Sequence, residues 1–181
     1  MNLVLCFSGK IGSGKSSVSN QVAQLLGWGR TSFGDYLRAE IVRRGGDPGD
    51  RKLLQDLGQA LVDADPAAFC WNVLAAGGFN PGGNFIVDGI RHVSIFENLA
   101  RVSQPSEAKL LFLSAGNVTR NARVRSRADA EDFTRASAHQ VEAELSRALP
   151  DLAEEVVDAD QPMDRVLADC LDLVRRWRDH R

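Results

Sequence analysis

The feature that most constrains the fold of this chain is the loop GKIGSGKS at positions 9–16. It follows an apolar run from Leu3 to Phe7 that predicts a strand, and apolar residues at helical spacing follow it from Val18 to Leu26. A strand, a glycine-rich loop and a helix in this order are the context that a G-x-x-x-x-G-K-S/T loop requires to bind phosphate. The pattern therefore predicts a βα opening with an anion site at the start of the first helix.

Glycines let such a loop turn its backbone N–H groups inward around a phosphate. We expect Lys15 to reach the β and γ phosphates of a nucleotide, the Ser16 hydroxyl to bind Mg²⁺, and Ser17 to lie near the α phosphate. The alternative, a glycine-rich turn without a ligand, would need both the pattern and its context to arise by chance. The predicted nucleotide-binding residues are Gly9, Ile11, Gly12, Ser13, Gly14, Lys15, Ser16 and Ser17.

Short apolar runs alternate with helical patterns along the rest of the chain. Further strands are predicted at residues 30–33, 85–89, 109–113 and 155–157, and helices at about 34–44, 50–61, 66–76, 93–102, 117–127, 133–149 and 163–177. Near-continuous apolar strands predict an α/β fold with three layers, in which a parallel sheet of about five strands carries helices on both faces. We interpret residues 1–181 as one domain, with ligands at the carboxyl ends of the strands.

Composition excludes several classes of protein. A hydrophobic fraction of 44% with 25% charged residues is an ordinary globular balance, and the net charge of −2 gives no footprint for duplex nucleic acid. No apolar run reaches the roughly 18 residues of a membrane span, and the start of the chain does not have the pattern of a signal peptide. We therefore predict a cytoplasmic protein without nucleic-acid or membrane partners. Cys6, Cys70 and Cys170 are interpreted as small buried residues.

Asp88 ends the apolar run Phe85-Ile86-Val87 and should emerge at the carboxyl edge of the sheet. A carboxylate at that edge can hold Mg²⁺ through water, and Gly89 leaves room for a ligand. The alternative is an ordinary turn aspartate after a strand. The neighbouring loop pattern favours the metal role.

Two further segments carry candidate site residues. In SFGDYLRAE, Ser32 and Asp35 fit a helix capping box, while Asp35 and Arg38 share a helical face and could present an acid and a base to a second substrate. In the helix predicted from about Asn117 to Arg127, a stripe is formed by Arg120, Arg123 and Arg127. Such a stripe can neutralise charge during phosphoryl transfer, or it can be a solvated basic face paired with the acids at 129–132. Only four of the 22 basic residues are lysines, which makes any single arginine weaker evidence.

The segments SGKIGSGKSSV, TSFGDYLRAEI, FIVDGIR and TRNARVRSR, in this order and spacing, resemble the P-loop nucleotide kinases of the adenylate kinase type. The resemblance implies that the loop binds ATP, that the G-D-x-L-R segment lines the acceptor-nucleotide site within a helical region at about 34–78, and that the D-G segment lies near Mg²⁺. It also implies that the arginine-bearing helix leads into a lid.

The chain departs from this family in two places. Where the family has D-G-F-P-R, this chain has Asp88-Gly89-Ile90-Arg91, so Arg91, the expected acceptor-phosphate ligand, sits one residue early. The lid is expected to be short, at about residues 123–135. The DGIR form with LQDLGQALV is also similar to archaeal-type dephospho-CoA kinase relatives, and the two branches stay open at the level of sequence.

The resemblance implies an ATP- and Mg²⁺-dependent phosphotransferase acting on a small nucleotide, a nucleoside or deoxynucleoside monophosphate. The alternatives are transfer to the ribose hydroxyl of dephospho-CoA, which would need a carboxylate base, and a regulatory nucleotide-binding ATPase. We expect catalytic roles for Lys15, Arg123, Arg127 and Asp35, acceptor binding by Asp35, Arg38 and Arg91, and metal binding by Ser16 and Asp88.

Overall fold

The sheet of the protein has five parallel strands. The structure, a computed structural model, describes residues 2–125 and 145–179. Within them the strands are β1 (Leu3–Ser8), β2 (Gly29–Ser32), β3 (Phe85–Ile90), β4 (Glu107–Ser114) and β5 (Glu155–Asp158). Their spatial order is β2-β3-β1-β4-β5, and each neighbouring pair is parallel. The predicted parallel sheet is confirmed, with β1 at its centre.

Helices cover both faces of this sheet and confirm the three-layer α/β fold. The described helices are α1 (Lys15–Leu26), α2 (Phe33–Arg43), α3 (Arg51–Ala64), α4 (Pro66–Ala76), α5 (Val93–Val102), α6 (Asn117–Arg125), α7 (Ala148–Leu152) and α8 (Met163–Asp179). Helix α4 begins with Pro66, where a missing N–H costs nothing, and the Asp65 side chain accepts a hydrogen bond from the Ala68 N–H at 2.9 Å.

Two apolar cores lie on opposite faces of the sheet. All six residues of β1 are buried, and successive side chains point to opposite faces. Leu3, Leu5 and Phe7 pack with residues of α1 and α8 in one core. Val4 and Cys6 pack with residues of α2, α4, α5 and α7 in the other. Because both faces of the central strand are covered, its run of apolar residues is continuous instead of alternating.

Two predicted boundaries need correction. Strand β2 ends at Ser32, so Phe33 opens α2, because the Ser32 hydroxyl accepts the Asp35 N–H at 3.2 Å and caps the helix at this point. The helix predicted from Phe133 to about Leu149 is not continuous at its described end. Residues 145–147 form a turn and α7 starts separately at Ala148, with Pro150 in its first turn, where proline is tolerated. Residues 133–144 lie outside the described part of the chain.

The cysteines are buried free thiols, as predicted. Burial raises the pKa of Cys70 and of Cys170 to about 12, and it raises the pKa of Cys6 well above its usual value. These thiols therefore stay protonated near neutral pH. In the described ranges, none of the helices combines the length and the apolar character that a membrane span needs.

The core of the α4 face can be tested with two leucines that both lie in helices. Leu74 of α4 is fully buried, whereas Leu25 of α1 is 60% exposed. We expect Leu74→Ala to lower the free energy of unfolding by about 2–5 kcal/mol, because the substitution leaves a cavity, and Leu25→Ala to change it by no more than about 0.5 kcal/mol. Chemical denaturation measures both. Equal losses in the two variants would contradict the packing of α4 on the sheet.

Candidate active site

The site lies where the connections of β1 and β3 diverge. Helix α1 follows β1 and packs on one face of the sheet, whereas α5 follows β3 and packs on the other. In an open parallel sheet this divergence leaves a crevice at the carboxyl ends of the two strands. The loop at residues 9–16 follows β1 at this crevice, and Asp88 of β3 lines it.

The loop has the backbone conformation that its glycines predict. Gly9, Gly12 and Gly14 have φ values of +144°, +81° and +93°. The Ser13 N–H donates to the Lys10 carbonyl at 3.1 Å, and the Lys15 Nζ donates to the same carbonyl at 3.1 Å. Helix α1 starts at Lys15 with no side-chain cap and no acid in its first turn. The positive end of the helix is therefore not neutralised by an acid of its own first turn, and it can attract an anion.

Helix α6 holds the outer side of the loop. The Arg120 Nη1 donates to the Ile11 carbonyl at 3.2 Å, and the Arg123 Nη1 donates to the Ser13 carbonyl at 3.0 Å. Arg123 also donates through Nη2 to the Ala159 carbonyl at 2.8 Å. Because a trans peptide unit directs its C=O and N–H to opposite sides, these bonds turn the Gly12 and Gly14 N–H groups away from α6.

Asp88 lies close to the carboxyl end of β3, as predicted, although the strand continues to Ile90, and its side chain is buried. Its Oδ2 accepts a hydrogen bond from Arg30 Nη2 at 2.9 Å. Its Oδ1 is buried and has no hydrogen-bond partner among residues 2–125 and 145–179. Such an oxygen indicates a missing water or ion. The oxygen and the exposed Ser16 hydroxyl are hard donors of the kind that Mg²⁺ prefers, so these residues fit a magnesium ion that completes its shell with water and phosphate.

On the other side of the crevice, α2 presents Asp35 and Arg38. The Arg38 Nη1 donates to Asp35 Oδ1 at 3.0 Å, and Arg30 lies 3.7 Å from Asp35 Oδ2. The predicted capping role of Ser32 is confirmed by its bond from the Asp35 N–H, while the Asp35 carboxylate is engaged by the two arginines. Asp35 therefore pairs with two guanidinium groups as well as lying in the first turn of α2.

A cavity of about 650 Å³ joins the loop to this side. Of the predicted residues, the cavity is lined by Ile11, Gly12, Gly14, Lys15, Ser16, Asp35, Arg38, Asp88 and Arg91. Gly9, Ser13 and Ser17 are not part of its wall, and Arg123 contacts the loop from outside. Arg127 and most of the predicted lid, residues 126–135, lie outside the described residues.

The cavity also has walls that sequence reasoning missed. Its polar lining includes Arg30, Arg51 and His92, and its apolar lining includes Phe33, Leu37, Leu54, Val62, Phe69 and Ile95. Among the described lining residues, five cationic side chains of lysine and arginine face three carboxylates, which favours an anionic ligand. Arg30 could have been noticed in the sequence, because an arginine inside a strand is unusual. The α3 residues have no sequence pattern that distinguishes them from those of any amphipathic helix.

Comparison with known proteins supports the fold and leaves the activity open. No family model matches the chain. A UPF0200 protein of Aeropyrum pernix is 37% identical over 106 residues, which are 55% of this chain and 52% of that protein, so the match spans about half of the relative. The crystal structure of a gluconokinase from Sinorhizobium meliloti 1021 aligns with 96% of this chain and 92% of its own, at 18% identity and a TM-score of 0.55. The chain therefore shares its α/β fold with that gluconokinase.

Gly12 allows the close approach of α6 and provides a test of this contact. A Cβ at Gly12 would lie 2.7 Å from the Arg120 carbonyl oxygen, whereas a Cβ at Gly27 would meet nothing within 4 Å. Both glycines have positive φ, so alanine at either position should cost about 1–2 kcal/mol in backbone strain. We expect Gly12→Ala to lose about 1–3 kcal/mol more than Gly27→Ala, because its methyl group also overpacks the contact with α6. Urea unfolding measures the difference, and equal losses would mean that α6 does not pack on the loop.

Proposed function

We propose that the protein is an ATP- and Mg²⁺-dependent phosphotransferase of the nucleotide kinase type, which transfers the γ-phosphoryl group to a nucleoside or deoxynucleoside monophosphate. The observation that carries the proposal is that one cavity joins the glycine loop and Lys15 to a wall bearing Arg38, Arg51 and Arg91. A phosphate donor and an anionic acceptor can therefore meet in one enclosed space.

The donor half consists of the loop, the start of α1 and Asp88. The loop N–H groups and Lys15 bind the phosphates, and the residues that would hold magnesium are Ser16 directly and Asp88 through water. When bound, magnesium neutralises charge on the phosphate oxygens. Arg123 of α6 and Arg127, which lies outside the described residues, are proposed to neutralise charge at the transferred group once both substrates are present.

The acceptor half consists of the helical region at about 34–78, which includes α2, α3 and α4. Apolar side chains of all three helices line the cavity and offer a surface for a planar base, as Leu37, Leu54 and Phe69 do. Arg38 and Arg91 are proposed to bind the acceptor phosphate. A phosphate acceptor is already an anion, so its attack needs no general base, and catalysis rests on positioning and charge neutralisation.

A hydroxyl acceptor is the main alternative, and it would make Asp35 the general base. Two hydroxyl acceptors are considered: the ribose hydroxyl of dephospho-CoA, and gluconate, the substrate that the name of the gluconokinase neighbour indicates. The ion pairs of Asp35 with Arg30 and Arg38 favour an orienting role for its carboxylate over proton transfer. A regulatory ATPase is a further alternative, for which a slow ATP hydrolysis unaffected by any acceptor would be the signature.

A screen of acceptors tests the proposal directly. Purified protein with ATP and Mg²⁺ is mixed with nucleoside monophosphates, deoxynucleoside monophosphates, dephospho-CoA or gluconate, and ADP release is followed by a coupled assay. We expect ADP release to depend on a monophosphate, with the phosphorylated product identified by mass spectrometry. Turnover with dephospho-CoA or gluconate alone would overturn the choice of acceptor, and turnover independent of every acceptor would overturn the kinase assignment.

Lys15 should contribute more in the transition state than in the ground state, because charge grows on the transferred group. We expect Lys15→Met to lower kcat by about 100-fold or more, as removal of one transition-state donor does. Lys10→Met is the matched control in the same loop, because Lys10 is half-buried and does not line the cavity, and it should change kcat by less than about threefold. Steady-state kinetics and circular dichroism of both variants provide the test. Near-normal turnover by a folded Lys15→Met protein would contradict phosphoryl transfer at this loop.

Asp35 distinguishes the two kinds of acceptor. A phosphate acceptor needs no general base, so Asp35→Asn should then lower kcat by less than about tenfold. If Asp35 were the general base for a hydroxyl acceptor, its removal would lower kcat by about 10² to 10⁴. Asparagine keeps the size of the side chain, and stability should change little. Asp56→Asn is the control, since Asp56 also lines the cavity but pairs with Lys52. A loss of a thousandfold in folded Asp35→Asn, together with parent activity on dephospho-CoA, would promote the alcohol acceptor.

A further inference from the structure

One guanidinium connects the two proposed magnesium ligands, which belong to different elements. Arg30 of β2 donates through Nη2 to Asp88 Oδ2 at 2.9 Å and through Nε to Ser19 Oγ at 2.9 Å. The Ser19 hydroxyl in turn donates to the Ser16 carbonyl at 3.2 Å. A chain of hydrogen bonds therefore runs from the end of β3 to the first turn of α1.

The pairing of β2 with β3 determines the position of Arg30 relative to Asp88. Strand β2 is the edge strand beside β3, and its parallel register places Arg30 opposite Ile86 and Ser32 opposite Asp88. Only 15% of the Arg30 side chain is exposed, and the Asp88 side chain is 3% exposed. An ion pair this well shielded is weakly screened and holds its geometry better than a surface pair.

Arg30 binds one oxygen of the carboxylate and leaves the other without a partner among the described residues. Oδ2 of Asp88 is occupied by the guanidinium, and Oδ1 is the buried oxygen that has none. A carboxylate anchored in this way cannot rotate freely, so its second oxygen, Oδ1, keeps one position relative to β3. Groups that orient a metal-binding carboxylate by hydrogen bonding influence metal affinity without touching the metal.

We propose that Arg30 is a positioning residue for the magnesium site: it holds Asp88 through Oδ2, so that Oδ1 faces the metal shell, and fixes Asp88 relative to Ser16 through Ser19. The inference rests on the proposed function, because it requires magnesium and nucleotide to bind at this loop. Arg30 itself contacts neither phosphate nor metal in this role. Its effect is expected in the magnesium dependence of nucleotide binding, beyond the general contribution that its charge makes to a cavity for anions.

The test compares ATP affinity in excess Mg²⁺ with ATP affinity in EDTA, both measured by isothermal titration calorimetry without an acceptor. The ratio of the two affinities is the magnesium enhancement. We expect Arg30→Gln to reduce this enhancement by about 10- to 100-fold, which is the usual effect of removing a group that orients a metal ligand. Loss of the Arg30 charge from the cavity lining lowers the affinity in both conditions, and the ratio separates this general effect from the magnesium-specific one.

Three variants complete the experiment. Asp88→Asn should lose the enhancement, and Arg30→Gln/Asp88→Asn should be no worse than Asp88→Asn, because Arg30 acts through that carboxylate. Arg175→Gln is the control for loss of an arginine, since Arg175 forms an exposed pair with Asp172 far from the crevice. It should bind like the parent in both conditions.

Arg30→Lys keeps the charge but not the two-armed geometry that reaches both Ser19 and Asp88. It should recover only part of the enhancement, and it replaces Arg30→Gln as the deciding variant if the glutamine protein does not fold. A folded Arg30 variant with the full parental enhancement, or effects of Arg30→Gln and Asp88→Asn that add in the double variant, would overturn the inference. A parent that binds ATP no better with Mg²⁺, or not at all, would instead overturn the proposed function.

Discussion

Strand β1 is hydrogen-bonded to β3 along one edge and to β4 along the other, and it is buried on both faces. Its end is therefore held more firmly than that of any edge strand. The register places Phe7 opposite Asp88, so the loop that leaves β1 starts beside the carboxylate that ends β3. The main parts of the crevice are positioned by this central strand, which helices cover on either face.

The features that could be predicted from the sequence are those set by neighbours along the chain. Continuous apolar runs located β1, β3 and β4, because burial on both faces leaves no alternation to obscure them, whereas β2 and β5 carry only a weak pattern. The glycine loop was predictable because positive φ and a close phosphate demand glycine at particular positions. Asp88 was predictable from its place at the end of such a run. Ser32 was predictable as a helix cap because its hydroxyl and the Asp35 N–H are three residues apart. The strand before the helix ends at Ser32, one residue earlier than predicted.

The features that could not be predicted depend on contacts between residues far apart in sequence. Arg30 and Asp88 are separated by 58 positions, and Arg120 and Ile11 by 109. No spacing rule connects such pairs, and a chain rich in arginine offers many equivalent candidates. The walls contributed by α3 are a similar case, since Leu54 and Val62 have the pattern of any amphipathic helix. Only the topology shows that this face borders the cavity.

The contact between α6 and the loop affects how a ligand is received. Arg120 and Arg123 donate hydrogen bonds to the Ile11 and Ser13 carbonyls, so contacts within the protein help to set the peptide planes of the loop. The conformational entropy of those residues is lost during folding and not during binding. A preorganised loop of this kind should bind with little rearrangement. Substitutions on α6 can therefore alter nucleotide affinity by changing the conformation of the loop, even where the substituted residue does not contact the nucleotide.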